Sequence, residues 1–239
     1  MIEEENSVFQ ATPENVNPPS VSIKFTIPEN KTLFDFYLLS ILHSHRFFRE
    51  KIEIRNFLPK VKNFFRRLGG EKFFLEKIYN QKSLESMKNT LASSEEEIKV
   101  ALLELEEKLG ISIIRRYFIH PVHMVNIYGM YNIKDENEGR ETHAHIYISD
   151  KNPHPLETVI HELVHVNIEK IVREFGLSFN EKERLVDIIC ALLFGEKIPS
   201  FSKRLKGSHP IDQYVSKIED LQHLYERVKE YKESSRGKN

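Results

Sequence analysis

Residues 161 to 165 read His-Glu-Leu-Val-His, an H-E-x-x-H pattern whose polar residues can do metal chemistry if a helix carries them. On an α-helix, residues four apart differ by ~40° in direction and ~6 Å in height, so His161 and His165 present two imidazoles to one point. A zinc ion suits that point. Glu162, at the edge of the same face, is placed to take a proton from a water on the metal. The neighbours argue for a largely buried helix: Leu156, Val159, Ile160, Leu163, Val164, Ile168, Ile171 and Val172 recur at helical spacing, and Pro155 suits the first helical position. Two histidines and a carboxylate on a buried helix need partners, and a metal ion supplies them.

A protein zinc site takes a third protein ligand. After a stop near Gly176, the run S-F-N-E-K-E-R-L-V-D-I-I-C-A-L-L-F reads as a second helix, with apolar Leu185, Val186, Ile188, Ile189, Ala191, Leu192, Leu193 and Phe194. Ser178 and Glu181 have capping-box spacing, which occupies Glu181 at the helix start. Glu183 is left as a candidate ligand, the alternative being a solvated acid paired with a lysine. Asp187 lies one turn later among apolar residues, where it can hydrogen-bond a liganding histidine and fix its tautomer. Cys190 lies ~10 Å further along the helix than Glu183, too far to share the ion, and reads as a small buried hydrophobe.

HELVH followed eighteen residues later by the glutamate of E-R-L-V-D resembles the gluzincin metallopeptidases, whose pattern is H-E-x-x-H with a distal glutamate in E-x-x-x-D. The short spacing is most similar to the smallest of them, the minigluzincins. Over roughly residues 111 to 195, the resemblance implies a zincin-like domain holding one zinc ion per chain by His161, His165 and Glu183. It implies that Glu162 is the general base, that Asp187 supports a histidine, and that a metal-bound water hydrolyses peptide bonds. It further implies that the strand before the active-site helix borders the cleft, so that Ala144, Ile146 and Ile148 pair with the backbone of a peptide or protein substrate. His143 and His145 share one face of that strand and read as surface residues, the alternative being that they face the cleft. The oxyanion donor, which larger gluzincins draw from a downstream His or Tyr, is sought among His209, Tyr214, His223 and Tyr225. The ImmA/IrrE-type regulatory proteases, which cleave a single partner protein, share the same signature and are a second resemblance.

The elements that must position these residues follow from patterning. Residues 1–22 read as a disordered tail and 23–110 as a helical N-terminal region, with helices beginning near Thr32, Glu71 and Ser94. After Gly110 the segments 111–119, 122–133 and 141–149 are rich in β-branched and aromatic residues and read as three strands, the last two a hairpin. The zincin-like domain is expected over 111–200, and a C-terminal helix from about Ile211 to Tyr231, then a frayed end, over 201–239. The fold class is therefore α+β: a short mixed sheet, an active-site helix and a Glu-bearing helix, preceded by helices.

Composition bounds the function. With 239 residues and 40% hydrophobic content there is enough for a core, and a net charge of −1 gives no global pull toward nucleic acid. One cysteine excludes an internal disulfide. No apolar run approaches the ~20 residues of a membrane span. The opening Met-Ile-Glu-Glu-Glu-Asn is not a signal peptide, so the expected address is cytoplasmic. Residues 43–74 hold nine Lys or Arg against three Glu, interleaved with seven Phe. Their favoured reading is a solvated basic face over inward-packed phenylalanines. The other is a nucleic-acid or protein contact on a non-catalytic zincin-fold module.

Overall fold

The computed structural model describes residues 20–44, 63–134 and 142–236. Most of the N-terminal tail, the centre of the basic segment and the D-E-N-E-G-R turn lie outside the described residues. The order is β1 (Ser22–Phe25), α1 (Asn30–Ser44), α2 (Gly70–Lys77), α3 (Gln81–Ser93), α4 (Glu95–Leu109), β2 (Arg116–Val122), β3 (Gly129–Lys134) and β4 (His143–Ser149). Then come α5 (Pro155–Phe175), α6 (Phe179–Phe194), α7 (Pro199–Arg204), a 3-10 turn (Pro210–Gln213), α8 (Ile218–Leu221) and α9 (Leu224–Arg236). The class is α+β, as the patterning predicts.

The four strands form one mixed sheet in the order β1-β2-β4-β3. β1 runs parallel to β2 and β2 parallel to β4, while β3 and β4 are an antiparallel pair. Alternation along each strand separates two faces. Ile23, Tyr117, Ile119, Ala144, Ile146 and Ile148 point toward α5 and join Leu91, Ile98 and Leu102 of the preceding helices in one core. The sheet and its core therefore draw on both sides of residue 110, and Ser22–Phe25 is a strand where tail and helix are expected. Its four residues are too few to show a period.

Two expected helices are interrupted by side chains that satisfy backbone groups. The helix expected from Glu71 to Leu91 breaks between α2 and α3, where Asn80 caps the second helix by accepting from the Ser83 N–H at 3.1 Å. The Asn80 N–H itself donates to His123 Nε2 at 3.0 Å. The C-terminal helix expected from Ile211 is split into the 3-10 turn, α8 and the longer α9, because the Asp220 carboxylate accepts from the N–H groups of Ser216 (3.1 Å) and Lys217 (3.2 Å). Phe74 is fully buried, but Phe64, Phe65 and Phe73 are exposed, so inward packing of paired phenylalanines holds for one of these four. Among the described residues no helix is long and apolar enough to cross a membrane.

The end of α9 closes over the start of α6. The expected Ser178–Glu181 capping box is formed, and the second Glu181 oxygen accepts from Tyr231 Oη at 2.6 Å with Lys232 Nζ at 3.3 Å. Burial alone would raise the Glu181 carboxyl. The bonds from Tyr231 and Ser178 and the Lys232 charge outweigh it, and bring the group from 4.5 down to about 2. A folded-state value below the unfolded one stabilises the protein above the unfolded pKa, and the contribution is lost as pH falls through the folded one. Glu181→Gln should therefore lower the Tm at pH 7 by roughly 2–4 °C. The gap should close as pH falls from about 4.5 to about 2; thermal melts across that range measure it, and a gap independent of pH contradicts the clamp.

Candidate metal centre

Helix α5 is apolar on two sides. Val159, Leu163 and Val166 pack under the sheet, whereas Ile160, Val164, Ile168, Ile171 and Val172 pack against α4, α6 and the C-terminal elements. Pro155 opens the helix, and Gly176 ends it in the left-handed conformation at φ 57°. Between the two apolar sides runs a narrow polar stripe, His161, Glu162 and His165, turned toward α6 and β3. With both flanks packed, that stripe has little water.

The three expected ligands converge. His161 Nε2 and His165 Nε2 lie 3.1 Å apart, and Glu183 Oε2 lies 3.6 Å from the first and 3.4 Å from the second. Four donors around an ion at ~2.0–2.1 Å stand about 3.3 Å from one another, so these atoms have the spacing of one face of a tetrahedral site. Among the described residues this is the one group of His, Cys, Asp and Glu side chains that could hold a metal ion. One feature departs from the usual pattern of a liganding histidine: His165 Nδ1 is buried without a hydrogen-bond partner, where the second ring nitrogen of a metal ligand ordinarily donates to a carboxylate or carbonyl.

The electrostatics suit ligation. Burial lowers the His165 pKa, which keeps the imidazole neutral. For Glu183, burial works upward but is outweighed by the two histidines beside it, so its carboxyl stays far below the usual range. Glu162 is only 7% exposed, and burial pushes it up to about 7, where a carboxyl can both take and return a proton near neutral pH.

Asp187 Oδ1 lies 3.8 Å from His161 Nδ1, on the side of that ring away from Glu183, beyond hydrogen-bond length. Arg204, from the end of α7, stands closer, its Nη1 3.2 Å from the same Nδ1. On the other flank the Tyr131 ring stacks on His165 at 5.5 Å, and its hydroxyl donates to Glu169 Oε2 at 2.6 Å. Lys182 sits over the Tyr131 and Phe179 rings, 5.6 Å from each, with Nζ 4.0 Å from Glu183 Oε1.

The expected substrate strand is corrected by the pairing. β4, with Ala144, Ile146 and Ile148, is bonded to β2 on one side and β3 on the other, so it has no free backbone edge. Those three side chains are fully buried toward α5. The edge strand beside the site is β3, and Gly129 is its point of contact. A Cβ on Gly129 would stand 2.6 Å from Glu162 Oε1 and 2.5 Å from Thr158 Cγ2.

His143 and His145 lie on the opposite face of the sheet from α5: His145 stacks with Phe118, His120 and Tyr147, and His143 meets the Phe118 ring edge-on. They do not face the site, and His143 is buried rather than a surface residue. Nor do the downstream oxyanion candidates reach it. Tyr214 Oη donates to Ser234, Tyr225 Oη donates to Glu174, His209 caps the 3-10 turn, and His223 is exposed. Cys190 is buried, and its burial pushes the thiol up, as for an inert core residue.

Tyr131, Glu169, Lys182, Arg204 and Gly129 were not singled out in the sequence. Two carry a signal: Glu169 follows His165 at four residues, on the same helix face, and a lone glycine in a strand marks a close backbone approach.

Gly129→Ala should overpack the contact and cost ~1–3 kcal/mol. A lowered Tm with the metal content unchanged is the expected result; a Tm equal to that of the unaltered chain contradicts the close approach of β3 to Glu162. Comparison with protein-family models, curated proteins and solved structures finds no match, so the chemistry of this centre rests on its own residues.

Proposed function

We propose that this chain is a zinc-dependent metallopeptidase of the gluzincin type, hydrolysing peptide bonds at the centre formed by α5 and α6. The observation that carries the reading is the convergence of His161 Nε2, His165 Nε2 and Glu183 Oε2 within 3.1–3.6 Å of one another beside a buried carboxyl. Two imidazoles and one carboxylate are a donor set of catalytic zinc, which keeps its fourth position for water or substrate. Zinc bound there would supply a Lewis acid and make a water acidic enough to react at neutral pH.

The chain's own residues supply the rest. Glu162, on the turn between the two histidines and desolvated by Gly129 and Thr158, takes the proton from the attacking water and returns it to the leaving amine. Asp187 is poised to accept the proton that His161 carries on Nδ1 when Nε2 is a ligand. Tyr131 stacks on the His165 ring and holds its orientation. β3, bonded to β4 on one side only among the described residues, offers a backbone edge along which an extended peptide can lie.

Glu162→Gln should keep the metal and lose hydrolysis by ~10²–10⁴-fold, the typical worth of a general base. Cleavage of an unstructured peptide pool, followed by mass spectrometry beside metal analysis of the same sample, makes the measurement. Hydrolysis at the unaltered rate by the glutamine variant contradicts the mechanism.

A further inference from the structure

The centre is open on one side. The His165 side chain is 3% exposed, whereas His161 is 12% and Glu183 34% exposed, so solvent and substrate approach past His161 and Glu183. Two cations stand at that rim. Lys182 is engaged by Glu183 and by the faces of Tyr131 and Phe179. Arg204 is different: its side chain is exposed, its guanidinium lies over the Phe201 ring at 5.2 Å, and its polar contact is an imidazole nitrogen. Among the described residues no carboxylate lies within ion-pair distance of it, Asp187 included. On the neighbouring α6, by contrast, Arg184 is neutralised by Asp212.

The contact with His161 is also one that Arg204 can give up. A guanidinium only donates, so Nδ1 must be bare to receive it. When Nε2 coordinates a metal, the proton sits on Nδ1, and that N–H and the guanidinium, both donors, exclude each other. The arginine is then a cation without a carboxylate partner at the rim of the site, with a planar fork suited to two carboxylate oxygens.

We propose that Arg204 is the carboxylate-binding residue of this centre, and that the peptides it accepts carry a carboxylate close to the scissile bond, on an acidic side chain or at the C-terminus. The identity of the ligand as a peptide rests on the metallopeptidase reading; the anion site itself does not.

The test is equilibrium binding to the full chain carrying Glu162→Gln, loaded with zinc, so that nothing is cleaved. Four alanine-rich hexapeptides of one framework serve as probes: a free C-terminus, its amide, an amide with one central aspartate, and the same with asparagine. The carboxylate form of at least one pair should bind about tenfold tighter than its neutral match, and which pair it is distinguishes a C-terminal from a side-chain anchor. Adding Arg204→Met should bring that ratio to near one, and Arg204→Lys should keep part of it; circular dichroism checks that both variants fold. Equal affinity for all four peptides, no binding of any, or a ratio that survives Arg204→Met overturns the proposal. Metal content is measured on the same samples. Zinc-loaded protein without a carboxylate preference removes the role of Arg204 and leaves the metal centre standing, whereas the preference in a chain that takes up no zinc removes the metallopeptidase reading and leaves the anion site.

Discussion

Packing of helix α5 on both flanks is the constraint from which the rest of the centre follows. Leu163 and Val164 are fully buried in different cores, so the helix cannot roll or lift to hydrate the stripe between them. Leaving a buried polar group unsatisfied costs ~1–3 kcal/mol, more for a charge, and this stripe holds two imidazoles and a carboxyl. The sequence answers with a second helix that brings Glu183 to both Nε2 atoms, and with a glycine that lets a strand close over Glu162. Such a set of desolvated Lewis bases, aimed at one point, is expensive as mere structure and apt as a metal site.

The sheet contributes orientation more than chemistry. Its buried strands β2 and β4 fix the level of α5. Asn167 of that helix accepts from the Ile114 N–H at 3.1 Å and exchanges hydrogen bonds with the Tyr117 hydroxyl, pinning helix to strand. The edge strand β3 then lies across the polar stripe, bringing Gly129 to Glu162 and Tyr131 to His165. Aromatic and cationic groups thus surround the candidate ligands on their exposed side, and the Glu162 carboxyl is buried beneath Gly129.

Much of the centre was legible in the sequence because helices encode it locally. His161, Glu162 and His165 are fixed relative to one another by helical spacing alone. Glu183 could be separated from Glu181 because the Ser178 capping box consumes the latter. Contacts made across elements were not legible. Nothing local says that β4 is interior and β3 the edge, since strand order is decided by distant pairing, including that of Ser22–Phe25 with Arg116–Ile119. Tyr131, Lys182 and Arg204 are ordinary residues until the fold sets them beside the ligands. The break at Asn80 depends on His123, forty-three residues away. The continuous C-terminal helix fails because Asp220 prefers the backbone N–H groups before it to a helical surface.

The most direct test of the centre is metal analysis of purified chain titrated with zinc, with Glu183→Ala measured beside it. One ion per unaltered chain, largely lost in the variant, is the result this geometry predicts. An unaltered chain that takes up no zinc would contradict it, and would leave His161, Glu162 and His165 as a polar stripe on a packed helix.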